Sequence, residues 1–387
     1  MIYLDNAATS WPKPACVRQA VNEALCSFGA NPGRGGYGMS MRTAEQLYSA
    51  RKTAARLFGV SDPAHVAFVG GCTLALNMAI QGLAKPGQRI VVSSLEHNAV
   101  MRPATATGCE VAVATVVSED DDATVAAFER LMTPDTAMVV CTHASNVTGE
   151  ALPIRRIGAL AVSRGIPFVV DAAQSAGMLP LDMERDHIDF LCVPGHKGLY
   201  GPMGTGLLCT SGRYALRPVI TGGTGSRSVS LVQPEDWPDL AESGTVNVSG
   251  ILGMAAGMRW IQEQGIGRLH QREMALTGRL YDRLNRMQGI RLYGRKPLPL
   301  RHVPLLSLTV QGLPSEEVAT RLGKSGIAVR AGLHCAPAAH RQLGTLDTGT
   351  VRLALSAFTT PAEVDRVCKI LGDICKKTLQ KSESMIQ

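Results

Sequence analysis

Five polar residues stand just beyond short apolar runs: Thr73 in VGGCTLALN, His97 in SLEHNAV, Asn146 in THASNVTG, Asp171 in IPFVVDAAQ and Lys197 in GHKGLYGP. A carboxylate after a run as apolar as IPFVV costs free energy unless it meets a cation or several donors. Lys197, beyond the next apolar run IDFLCVP, supplies an amine to go with it. Together they are what pyridoxal phosphate requires, a Schiff-base amine and an anion for its pyridinium nitrogen; a structural salt bridge would use the same pair. The imidazole of His97 is suited to lie on such a ring and exchange protons above it, and the amide of Asn146 to donate to a ring hydroxyl oxygen or a substrate. Each is equally a turn or cap residue. Gly70, Gly71, Cys72 and Thr73 turn a strand into a helix, where free amides and a hydroxyl make a phosphate seat, or simply a glycine turn with a threonine cap. No Lys follows these glycines, so the turn is not a Walker loop. GRGGYG at Gly33 to Gly38 spells a dinucleotide fingerprint but follows NP rather than a strand, so its context is missing.

A second group lies near the C-terminus. RAGLHCAP presents Cys335 after His334, with Arg330, Arg341 and Arg352 nearby in sequence. Positive charge favours the nucleophilic thiolate. Arg352 falls inside the strand candidate TVRLALS, where a guanidinium needs an anion: a substrate α-carboxylate or an internal carboxylate. Most other cysteines sit in apolar runs and read as small core residues, with Cys335 the exception. None of these groups has the close paired spacing of a structural zinc site, and no metal is expected.

These residues need a frame that brings strand ends together. From about residue 65, HVAFVG, RIVVSS, EVAVATV, TAMVVCT and IPFVVD alternate with helical patterns, the first from Thr73 to about Leu83 and another from Pro153 to about Ser163. Val- and Ile-rich runs with little alternation are strands buried on both faces, and the repetition argues for an open α/β sheet whose ligands sit at the carboxyl ends of its strands. IDFLCVP and GTGLLCT continue it, and a Gly- and Pro-containing stretch from about Val219 to Ser249 breaks the pattern. Helical periodicity resumes from about Gly250. VPLLSLTV, GIAVR and GTVRLALS are strand candidates of a smaller α+β part, with helices after Pro314 and Pro361 and a tail, KKTLQKSESMIQ, expected to fray.

Composition agrees. At about 150 residues per domain, 387 residues suggest two domains. Hydrophobic residues at 45% against charged residues at 18% supply a core and make disorder unlikely to be the ground state. A net charge of +7 without charge blocks, and 4% aromatics, favour small anionic ligands and do not indicate nucleic acid. No apolar run reaches membrane-span length, the N-terminus lacks signal-peptide features, and ten scattered cysteines without a CxxC pair suit a reducing cytoplasm.

Taken together, the residues resemble the NifS/Suf-type cysteine desulfurase and selenocysteine lyase family, aminotransferase class V enzymes of pyridoxal-phosphate fold type I. YLDNAATSWPKP, NPGRGG, the Thr73 turn, EHN, SNVTG, DAAQ, GHKGLYGP, SGTVN, RAGLHCA and VRLALS carry the resemblance, in family order from residue 3 to about 360. It implies a large domain, 15–257, with a mainly parallel seven-stranded sheet covered by helices, and a smaller domain from 1–14 and 258–387. Lys197 would hold pyridoxal 5'-phosphate and act as base, Asp171 would pair with the ring nitrogen, His97 would stack on the ring, and Asn146 and Gln174 would meet its hydroxyl oxygen. Thr73, Cys72 and His196 fall at the phosphate; Thr245 of SGTVN would reach the phosphate of a neighbouring subunit in a homodimer. Arg352 would anchor the substrate carboxylate beside Arg330 and Asn146, and Cys335 would accept sulfur. Two positions depart from the family pattern: Pro194 stands where Ser is common and Cys72 where Thr is frequent, which bears on phosphate affinity. The implied activity is conversion of L-cysteine to L-alanine with a persulfide on Cys335, passed to a sulfur-acceptor protein. L-selenocysteine lysis, another β-elimination and transamination are the neighbouring activities, and a catalytically weak sulfur carrier or scaffold is the alternative of another class.

Overall fold

Runs such as RIVVS and TAMVVCT are too apolar to leave a face in water, and a helix between successive parallel strands supplies the cover. In the computed structural model, which describes residues 1–33 and 35–384, these runs form one seven-stranded sheet. Its spatial order is Val66–Val69, Gly206–Thr210, Phe190–Pro194, Phe168–Asp171, Thr136–Thr142, Arg89–Ser93 and Glu110–Ala114. All neighbours are parallel except the two pairs made by Gly206–Thr210. The register sets Asp171 directly between Thr142 and Cys192.

One strand departs from the expected double burial. Glu110–Ala114 is one edge of the sheet, and its side chains alternate, with Val113 44% exposed, whereas Val66–Val69 at the other edge stays covered. With one strand neighbour and less cover, alternation returns at Glu110–Ala114. Two helices the run pattern does not reach, Ala15–Ser27 and Gly38–Phe58, precede the sheet. Among the described residues the element immediately before the glycines that spell the dinucleotide fingerprint is the helix Ala15–Ser27, not a strand, and Arg34 of that motif lies outside the described residues.

The C-terminal part builds a second sheet, antiparallel, in the order Arg330–Gly332, Thr350–Ala354, Leu305–Val310 and Ile290–Tyr293. GIAVR, expected as one strand, splits: Ile327–Ala328 pairs in parallel with Ile2–Tyr3, and Arg330 begins the next strand. The first residues of the chain thus join the C-terminal part. Ile2 and Leu4 share an apolar cluster with Leu280, Leu308, Leu353 and Leu371, while Met254, Met258 and Ile261 pack with the core of the large sheet. The last helix, Pro361–Ser384, takes in most of the tail expected to fray; residues 385–387 lie outside the described residues. Among the described residues no helix is long and apolar enough to cross a membrane.

Candidate active site

The carboxyl ends of the large sheet open on a cavity of about 640 Å³ lined by Cys72, Thr73, His97, Asn146, Asp171, Gln174, His196 and Lys197. The five residues read from strand ends, Thr73, His97, Asn146, Asp171 and Lys197, thus meet in one place, together with Cys72 of the Thr73 turn and with Gln174 and His196, which the resemblance adds. Each arrives by a short turn. Asp171 closes its strand, 2% exposed, and His97 is the N-cap of the helix Asn98–Ala106, its Nδ1 accepting the Ala99 N–H at 2.9 Å. The cap role and the cavity position are compatible, because the capping nitrogen is Nδ1 and leaves Nε2 to carry the proton. Burial, the largest influence, lowers the His97 pKa, with Lys197, Arg352 and Arg330 pushing the same way against Asp171. The ring is neutral at pH 7.

No ion pair joins Lys197 to Asp171 among the described residues. The salt bridge that would have explained both residues structurally is not formed. Burial lowers the Lys197 pKa, with Arg352 and Arg330 reinforcing it while Asp171 and Cys72 oppose, so its amine loses its proton more readily than an exposed lysine. The peptide before it is held firmly. The His196 carbonyl accepts from the Ser10 N–H at 3.1 Å, the Thr9 and Ser10 hydroxyls at 3.0 and 3.2 Å, and Lys13 Nζ at 2.8 Å. Burial lowers the Lys13 pKa to about 8 and, as the largest cause, that of His196 to about 4.

Glycines shape the turn before Thr73. Gly71 has φ 148°, where a side chain would strain the backbone, and a Cβ on Gly206 would come within 2.7 Å of the Gly71 Cα and force a displacement. Thr73 is exposed to the cavity and stands in the first turn of Cys72–Leu83, where the amides have no helical partner. Cys72 differs from a phosphate ligand in where its side chain goes: its Sγ contacts Asp171 Oδ1 at 3.3 Å and the Cys192 carbonyl oxygen at 3.4 Å.

Arg330, Arg352, Cys335 and Thr245 do not line this cavity. Arg352, 2% exposed, lies next to it: Nη1 donates to the Asn146 carbonyl at 3.1 Å and Nη2 to Asp5 Oδ1 at 3.2 Å, while Nε is buried with no partner. The internal carboxylate considered for it is present, and one N–H remains unspent. Arg330 is exposed and stands opposite Arg352 in register. Cys335 is exposed in a loop where it and His334 both have left-handed φ, 56° and 49°. Two hydrogen bonds hold that costly backbone: the Asn98 N–H to the Cys335 carbonyl at 2.7 Å, and Asn146 Nδ2 to the His334 carbonyl at 2.7 Å. The cysteine loop is thereby tied to the residue after His97 and to the cavity wall. Thr245 is exposed and meets Asn31 Nδ2 at 3.4 Å. Cys335 is not alone in exposure, since Cys26 on the helix Ala15–Ser27 is also exposed; all ten cysteines are free.

Sequence reasoning missed Asp5, Glu96 and Lys13. Glu96 had the same signal as Asp171, a carboxylate just past an apolar run. Asp5 had none, because its partner is distant in sequence.

The unspent groups test what the site would hold. Among the described residues nothing donates to Asp171 Oδ2, Gln174 commits one N–H to the Ala7 carbonyl at 3.1 Å and keeps another, and His196 Nδ1 and Arg352 Nε are buried without partners. A helix N-terminus, one carboxylate oxygen, a deprotonatable amine and a buried guanidinium N–H suit a ligand with a phosphate, a ring cation, an aldehyde and a neighbouring carboxylate. Pyridoxal phosphate with an amino acid has that set.

A family model described as aminotransferase class-V matches residues 2–367. The chain is 32% identical over 382 residues to a probable cysteine desulfurase of Methanothermobacter thermautotrophicus, covering 96% of this chain and 94% of that one. It is 31% identical over 378 residues to the cysteine desulfurase CsdA of Escherichia coli, covering 94% and 91%. Among solved structures, the apo cysteine desulfurase of Thermococcus onnurineus superposes with a TM-score of 0.88 at 31% identity over 97% of this chain and 95% of that chain. CsdA of Escherichia coli, with its S-sulfonic acid, gives 0.84 at 28% identity over 98% and 94%.

Proposed function

The chain belongs to the class-V aminotransferase family, and we propose that within it this protein is a pyridoxal-phosphate-dependent cysteine desulfurase. The observation that carries the reading is the tether between the two groups of residues: the exposed Cys335 hangs from Asn98 and, through His334, from Asn146, beside the cavity that holds Lys197 and Asp171. The net change is L-cysteine plus the Cys335 thiol giving L-alanine plus a Cys335 persulfide. One carbon–sulfur bond breaks and one sulfur–sulfur bond forms, with no outside oxidant.

Bound pyridoxal phosphate supplies an electron sink for the bonds at the substrate Cα. Thr73, His196 and the first-turn amides would hold its phosphate, Asp171 Oδ2 the proton on its ring nitrogen, and Asn146 and Gln174 its hydroxyl oxygen. Lys197 Nζ, with its lowered pKa, takes the proton from the substrate Cα. Neutral His97 covers one face and keeps a proton at Nε2. Arg352 orients the substrate carboxylate through Nε, with Arg330 adding charge from the next strand. Cys335 Sγ receives the sulfur.

The reading carries with it a large domain of 15–257, a small domain of 1–14 with 258–387, a cytoplasmic setting and a homodimer in which Thr245 serves the neighbouring phosphate. Support for a second copy comes from Leu231 and Val232, 104% and 76% exposed beside a groove of about 1370 Å³. Purified protein incubated separately with cysteine and selenocysteine tests the activity. Equimolar alanine and one added sulfur on Cys335 are expected; pyruvate with ammonia, or turnover dependent on a keto acid, refutes desulfuration in favour of elimination or transamination.

A further inference from the structure

The turn that starts the helix Cys72–Leu83 brings a thiol down onto the ends of two strands, where a phosphate ligand would have no use for it. Asp171 and Cys192 are direct partners in the sheet register, and the Cys72 Sγ reaches both, Asp171 Oδ1 at 3.3 Å and the Cys192 carbonyl at 3.4 Å. The two acceptors are unequal. The Cys192 carbonyl already accepts the Ala172 N–H at 3.0 Å, whereas Asp171 is a carboxylate only 2% exposed. A weak donor prefers the charged acceptor. Burial, with the charge of Asp171 behind it, pushes the Cys72 thiol well above its ordinary value, so at neutral pH it keeps its proton and can donate.

The hydrogen bonds to the Asp171 carboxylate both fall on one oxygen. Oδ1 receives the Ala173 N–H at 2.8 Å from the turn after its own strand and the Cys72 thiol at 3.3 Å from the start of the helix Cys72–Leu83, while among the described residues Oδ2 receives none. Asp171 lines the cavity. Two donors on a single oxygen fix the rotation of the carboxylate about its Cβ–Cγ bond in a way that one backbone amide does not. We propose that Cys72 is a positioning residue, whose thiol clamps Asp171 Oδ1 so that Oδ2 is presented to the ring nitrogen of the cofactor.

The role rests on the pyridoxal-phosphate reading above, and the hydrogen bond itself does not. The test compares purified holoenzyme with Cys72→Ser, which keeps a donor, and Cys72→Ala, which has none. Cofactor release on dilution, followed by visible absorbance, is expected to give a Kd raised about threefold to tenfold in Cys72→Ala and within about twofold of wild type in Cys72→Ser, the loss expected for one weak hydrogen bond to a charged group. An infrared difference spectrum, wild type minus Cys72→Ala, isolates the S–H stretch of this one thiol. A band lowered in frequency, as hydrogen bonding requires, and moved by Asp171→Asn supports the clamp. A free-thiol band overturns it, and so does an unchanged Kd in Cys72→Ala, or an equal rise in Cys72→Ser. Should the wild type show no cofactor absorbance at all, the cofactor reading fails and the positioning role with it, while the S–H band still reports whether the thiol bonds Asp171.

Discussion

Replacing Glu96 with Gln should remove a pH dependence of stability whose sign and size follow from where that carboxyl sits. Glu96 is 0% exposed. Its Oε1 accepts from the Ser93 hydroxyl and from the Thr142 N–H at 2.8 Å, and its Oε2 is buried without a partner. Burial is the largest influence and raises its pKa to about 8; the two donors pull it down, and the charge of Asp171 pushes it further up. At neutral pH the carboxyl is therefore protonated. Unfolded, it titrates near 4.5. Between those values the native state holds a proton that the unfolded chain has released, so stability is full below the unfolded pKa and declines as pH rises toward the folded one. The slope is about 1.4 kcal/mol per pH unit, or about 3 kcal/mol from roughly pH 5 to pH 7. Gln offers the same acceptor oxygen and does not titrate. Thermal midpoints of both proteins, measured with cofactor bound across about pH 5 to 9, are expected to separate steadily in favour of Glu96→Gln as pH rises, levelling off above about 8. Glu273, also buried with its pKa raised to about 8, is present in both proteins and cancels in the difference. Parallel curves would refute the reasoning, for they would mean that Glu96 is ionised in the fold.

Three more tests address the site. Cys335→Ala should leave the visible absorbance of the bound cofactor unchanged and abolish persulfide formation and alanine release from cysteine; undiminished alanine with persulfide elsewhere removes Cys335 from its role. Arg352→Lys keeps a positive charge but loses the Nε–H and the planar fork, so KM for cysteine should rise about tenfold to a hundredfold with a smaller change in kcat, and an unchanged KM would take Arg352 out of the substrate site. Lys13→Met removes one of four donors from the His196 carbonyl, and since three remain the thermal stability should fall by only about 1 kcal/mol, read as a lower midpoint in calorimetry.

Where sequence was informative, a local rule was at work. Asp171, His97, Asn146 and Lys197 were legible because a polar residue after a run with no alternation has few places to be other than a strand end, and strand ends of one parallel sheet converge. The same rule applies to Glu96, which the reading passed over and which reaches the site through Thr142. It failed at Glu110–Ala114, since being an edge strand is a property of the sheet order and not of the run. Nothing in the run pattern marks Asp5 as the partner of Arg352 or Lys13 as a donor to His196, because those contacts join residues 347 and 183 positions apart. Cys72 was legible as a turn residue and illegible in direction: the letter does not say whether a side chain at a helix start faces ligand or sheet.

The two carboxyls at this end of the sheet sit in unlike surroundings. Glu96 and Asp171 stand on either side of Thr142, which donates its N–H to one and lies in register with the other. Both are buried, and two like charges at that spacing would each oppose the other. Glu96 has one oxygen with no donor among the described residues, and burial pushes its pKa up to about 8, so it is protonated at neutral pH. Asp171 has the Ala173 N–H and the Cys72 thiol on one oxygen, bears on the pKa of Lys197, and leaves its other oxygen without a donor among the described residues. It is also the only acidic side chain lining the cavity among the described residues. The strand between them thus separates the parts: the Thr142 N–H goes to the buried Glu96, while Asp171, in register with Thr142, is the acid that lines the cavity.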